Sequence, residues 1–161
     1  MSSVKLGIAF YAQQDSRGRP VSPHWALVAH PTNYAAHDVQ VFQIVQNGGS
    51  WAPMHHICPL ARAPTLLGVV HVADINMSPT ALDAFVRPFP ATKNNDDPSG
   101  NIVWSCSNWV IRVLHHLAGH NVLRLPWRVN LFYDRVQPRI AVLKSTPKDP
   151  RVPVAVIPLV G

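Results

Sequence analysis

Sixteen prolines are spread through the 161 residues of this chain, and they limit what it can fold into. Each one removes a backbone donor and ends or kinks any helix whose interior it enters. A bundle of long helices is thereby excluded, and many short elements are expected. Apolar residues make up 47% and charged residues 14%, which excludes a disordered chain and leaves enough for a core. The length suits one domain. No apolar stretch is long enough to cross a bilayer.

The first part of the chain reads as strands. Val4–Gln13 is apolar, and Asp15–Pro23 is a polar loop. His24–His30 is a second strand, closed by Pro31. Val39–Gln46 alternates between two faces, and Asn47-Gly48-Gly49 signals a hairpin. Trp51–Leu60 would return at a sheet edge, since Pro53 interrupts it. Leu66–Val72 is a further strand.

Helices follow. Ser78 and Pro79 suit the N-cap and first position of a helix running to Val86. Phe89–Gly100 is a loop. Between Trp104 and Gly119, Val110, Val113, Leu114 and Leu117 form one apolar stripe at helical spacing. Ser105 suits the N-cap of that helix, and Gly119 a left-handed C-terminal cap. A third helix is expected over Pro126–Val136, with Trp127, Leu131 and Phe132 inward, stopped or interrupted by Pro138. Strands first and helices later define an α+β fold, a small antiparallel sheet against two or three helices. Residues 1–144 form the domain, and residues 145–161 form a proline-rich tail that packs on the body, meets a partner or stays mobile.

Two cysteines, Cys58 and Cys106, and a start without a secretory signal pattern point to reduced thiols in the cytoplasm. The formal net charge is +6, with all eight acids aspartate. Basic residues gather late: Arg124, Arg128, Arg135, Arg139, Lys144, Lys148 and Arg151 stand against Asp134 and Asp149. They suit a solvated face, or weak contact with an anionic surface. The aromatic-basic interleaving of single-strand nucleic-acid binders is missing.

Cys106 carries the chemistry. In the first turn of a helix, the dipole and free N–H groups favour a thiolate. A thiol nucleophile needs an imidazole to take its proton, and His24, at the head of its strand, is the best placed of nine histidines. A zinc set from His116, His120, His55, His56 and Cys58 lacks tight ligand spacing, so neither metal nor cofactor is expected. Phosphate loops, dinucleotide fingerprints and serine-hydrolase elbows are lacking.

SPHWALVAHP followed much later by WSCSNWVIRVLHHL resembles the His-then-Cys order of circularly permuted papain-like proteins. That group includes the lecithin:retinol acyltransferase-like and NlpC-like families and the PPPDE peptidases. The chain also resembles a family of small uncharacterised fungal proteins. The matching pieces are His24–Val28, Trp51, Leu67–Val72, Pro79–Pro90 and Cys106–Val110. The resemblance implies a permuted papain-like architecture, Cys106 as nucleophile and His24 as base. It places Gln43 where acyltransferase-like members carry a second histidine, and Ser105 where the family has asparagine. The implied activity is a cysteine-dependent hydrolase or acyltransferase acting on an ester, thioester or amide carbonyl. The alternative is a binding module that keeps the fold without turnover, motivated by Gln43 and Ser105.

Overall fold

The computed structural model describes residues 2–100 and 103–160. Its centre is a six-stranded sheet built on two long neighbours, β1 (Val4–Gln14) and β2 (Pro20–His30). They pair antiparallel from Lys5 opposite His30 to Gln14 opposite Pro20, so the turn between them is shorter than Asp15–Pro23. Strand β3 (Val39–Phe42) lies beside β2, and β6 (His56–Cys58) lies outside β3. On the other side β7 (Leu66–Ile75) pairs with β1 and β8 (Val156–Pro158) closes the edge. Every pairing is antiparallel except β7 with β8. Strands β4 (Ile44–Asn47) and β5 (Ser50–Pro53) form a separate hairpin. Its turn is Gly48-Gly49, both at positive φ, a conformation that glycine adopts without penalty. The α+β expectation is met.

Alternation along the strands sends Leu6, Ile8, Phe10, Trp25 and Leu27 into one core and Ala9, Ala26 and Val28 into another. Both sheet faces are covered, so all four residues of β3 are buried. Three helices serve the larger core: α1 (Pro79–Val86), α2 (Cys106–Gly119) and α3 (Val129–Ser145). Ser78 Oγ accepts the Ala81 N–H at 3.0 Å, the expected N-cap.

Helix α2 buries ten of its fourteen residues, far more than one stripe. Among them is Arg112, whose guanidinium donates to the carbonyls of Pro90, Thr92, Lys93 and Asp96 and lies over the Trp104 ring. That arginine ties the Phe89–Gly100 loop across the helix. The left-handed cap is not Gly119 but Asn121, at φ 60°. The Asn121 N–H reaches Ala118 O and the Val122 N–H reaches Leu117 O, a Schellman closure.

Helix α3 corrects the expected Pro126–Val136 helix. It starts later, runs through Pro138 and turns Leu131 outward, while Phe132, Val136, Ile140 and Leu143 are buried. Pro138 is exposed, so the carbonyl it leaves without a helical donor sits on the outer side. Beyond Ser145 the chain packs on the body: Val154 and Leu159 are buried, and β8 runs parallel to β7.

Candidate functional site

The expected strand Val39–Gln46 breaks at Gln43, the residue between β3 and β4. Gln43 bonds not to a ladder partner but to the link between β5 and β6. Its N–H donates to His55 Nδ1 at 3.1 Å, and its carbonyl accepts the Met54 N–H at 2.9 Å. Because β3 ends there, it covers β2 only from Leu27 to Ala29. Beyond that ladder β2 presents His24 and Trp25, and the start of α2 approaches. The Trp25 N–H donates to Cys106 Sγ at 3.5 Å. His24 is not at the head of its strand but inside it, opposite Tyr11 of β1.

His24, Gln43 and Cys106 line one cleft of about 540 Å³, together with Tyr11, Trp51 and Cys58. His24 Nε2 lies 2.7 Å from Gln43 Oε1. The amide oxygen only accepts, so Nε2 carries the proton and Nδ1 keeps its lone pair. Burial pushes the His24 pKa below its usual value, partly offset by the Gln43 bond. The imidazole therefore stays neutral at pH 7, the state a base needs.

Cys106 opens α2, with Ser105 as N-cap. Asn108, one turn on, accepts the Ser105 N–H at 3.1 Å and is itself held by Asp97 and Ser99. The expectation of a lowered thiol pKa is overturned in direction. Burial pushes Cys106 up, and the N–H groups of Trp25, Ser107 and Cys106 pull it down by less. Cys106 is 8% exposed and lines the cleft. Cys58 is a second free thiol there, also pushed up by burial.

The remaining candidates are separated. His116 Nε2 meets Asp96 at 3.0 Å, His120 packs against Phe85, and His55 lies between Phe42 and Trp109. Among the described residues no group of three His, Cys, Asp or Glu is placed to hold a metal ion. His30 is bonded to Asp38 at 2.8 Å. Arg124, Arg128 and Arg135 are exposed, but Arg139 donates to Leu159 O and Arg135 O and lies over Trp127. No described helix is long and apolar enough to cross a membrane.

Two contributors were not selected from the sequence. Trp25 acts through its backbone N–H, which no side-chain pattern reveals. His55 stood only among possible zinc ligands, and the signal for its contact is the break at Gln43, which is tertiary.

Fold and site together define an α+β protein with a thiol, an imidazole and an amide on one cleft. The chain belongs to a family of unknown function (DUF6914), whose model matches residues 4–128 and so spans all three of these residues. No curated protein matches it, and no solved structure does.

Proposed function

We propose that this chain is a cysteine-dependent hydrolase or acyltransferase acting on an ester, thioester or amide carbonyl, with a permuted papain-like arrangement of its site. The supporting observation is that His24, locked by Gln43 into the Nε2–H tautomer, shares a cleft with a Cys106 sulfur held at the adjoining Trp25 N–H. The lone pair on Nδ1 takes the thiol proton as sulfur attacks the carbonyl carbon. The raised thiol pKa makes this a deprotonation during attack, not a standing thiolate. The new C–S bond gives a tetrahedral oxyanion, and backbone N–H groups at the α2 start are its donors. On collapse the leaving group takes the proton from His24, leaving a thioester on Cys106. Water or an amine then attacks, giving its proton to His24, and Cys106 departs and is reprotonated. Two free thiols suit a reducing, cytoplasmic setting.

The test is a p-nitrophenyl ester followed by intact mass. The expected result is a nitrophenolate burst and one acyl group on Cys106, absent in Cys106→Ala and slowed roughly 100-fold or more in His24→Ala. Equal acylation of Cys58 and Cys106, or indifference to His24→Ala, would overturn the reading.

A second reading rests on the burial of the thiol: a binding module that uses the cleft without turnover. It requires Cys106→Ala to keep the biological activity intact.

A further inference from the structure

We infer that His55 is a positioning residue for the proposed reaction, holding the Gln43 backbone so that the Gln43 side-chain amide oxygen stays on His24. The inference rests on the catalytic reading above, but its geometry stands by itself. Gln43 lies outside both sheets, and neither its N–H nor its carbonyl has a strand partner. The segment Met54–His55 satisfies both, by the Met54 N–H at 2.9 Å and His55 Nδ1 at 3.1 Å. The His55 ring is itself fixed. It packs edge-on to Phe42 at 5.5 Å and stacks on Trp109 at 5.5 Å and 30°. Trp109 lies three residues along the helix that Cys106 opens. One ring thus links the end of β3, which aims Gln43, to the helix that carries the thiol.

The residue type supports the same conclusion. Because Nδ1 accepts, the His55 proton sits on Nε2, a buried atom with no hydrogen-bond partner among the described residues. An unpaired buried donor is a cost to stability. Phenylalanine would pack between Phe42 and Trp109 without it. What histidine adds is the Nδ1 acceptor, and Gln43 alone uses it.

Two substitutions separate acceptor from ring. His55→Phe keeps the stacking and removes the acceptor. His55→Asn loses the ring but places an oxygen where Nδ1 was. The readout is ¹⁵N NMR of the His24 ring together with Cys106 acylation by the p-nitrophenyl ester. In His55→Phe the His24 Nε2–H signal is expected to disappear into a mixture of tautomers, with acylation slowed roughly 10- to 100-fold. In His55→Asn the tautomer and most of the rate return. An unchanged His24 tautomer in folded His55→Phe overturns the inference. Loss of the tautomer signal in both variants also overturns it, because it shows the ring and not the acceptor to be what matters. Should His55→Phe fail to fold, amide exchange in the unsubstituted protein decides: the Gln43 N–H must be protected, and exchange at an open-chain rate overturns the inference. A wild-type protein with the tautomer intact but no acylation would fail the catalytic reading alone.

Discussion

Gln43 Oε1 lies 2.7 Å from His24 Nε2, and that contact decides which nitrogen of the ring is available. The side chain reaching His24 comes from the single residue between β3 of the main sheet and β4 of the hairpin. Gln43→Leu removes the acceptor and frees the ring to take either tautomer. Acylation of Cys106 is expected to slow about 10- to 100-fold with the fold intact. Gln43→Glu keeps an acceptor at the same place and should retain most of the rate, while its charge raises the His24 pKa. Comparable rates for Gln43→Leu and the unsubstituted protein would remove Gln43 from the site.

The pH profile follows from the two shifts. His24 is a base only when neutral, and burial holds its pKa below the usual 6.5. The acid limb of acylation should therefore have its midpoint below 6.5. In Gln43→Leu, which loses a bond that raises the His24 pKa, that limb should move lower still. Cys106 is pushed above the usual 9.0, so alkylation by iodoacetamide should keep rising past pH 9. An iodoacetamide midpoint near pH 7 would mean a standing thiolate and overturn the general-base step.

How much of this was legible depends on where the information sits. The Cys106 helix start, the Ser78-Pro79 cap and the Gly48-Gly49 turn are local chemistry, and each was read from neighbouring residues. The break at Gln43 was not, because alternation continues to Gln46 and only the Met54 and His55 contacts interrupt the ladder. Helix α3 passes Pro138 because Val136, Ile140 and Leu143 anchor it on both sides, which outweighs one lost helix bond. Strand β8 is three residues long and has no pattern of its own. Its place depends on β7, above all on Gly68. The Cys106 thiol was misjudged in direction because dipole arguments see the helix end and not the burial around it.

Gly68 is the point at which β8 and α3 close on the sheet. Its φ is +151°, and a Cβ there would lie 2.7 Å from Leu143 Cδ2 and 2.8 Å from the Ala155 carbonyl. The Val69 N–H donates to that carbonyl at 2.8 Å. Gly68→Ala is expected to destabilise the fold by about 1–3 kcal/mol and to raise amide exchange in β8 before the rest of the sheet. Denaturant unfolding and hydrogen exchange measure both. A neutral substitution would mean that β8 is not held against β7 in this way.

Stability should fall in two steps as the solution is acidified. His24, His55 and His71 all have pKa values lowered by burial. In His55 a bond requires the neutral ring, because Nδ1 accepts the Gln43 N–H, whereas the 2.7 Å contact of His71 Nδ1 with the Tyr34 hydroxyl can be made by either protonation state. The groups packed on His55 do not reverse this, since Arg87 and His56 lower its pKa and Asp83 raises it by less than burial lowers it. On His71, Asp74 raises and Lys5 lowers, again behind burial. A folded pKa below the unfolded one means that the unfolded chain binds more protons. The histidine contribution is therefore fully present above pH 6.5 and is lost as the pH falls from there through the lower folded values. Asp15, Asp38 and Asp149 are lowered below 3.8 by hydrogen bonds, so their contribution is lost only at more acid pH. Melting followed by circular dichroism should show Tm dropping between pH 7 and 5, then again below about pH 4. His71→Gln, which takes one titrating ring away, should make the first drop shallower. A Tm that stays level between pH 7.5 and 5 would contradict the lowering of these three pKa values in the folded protein.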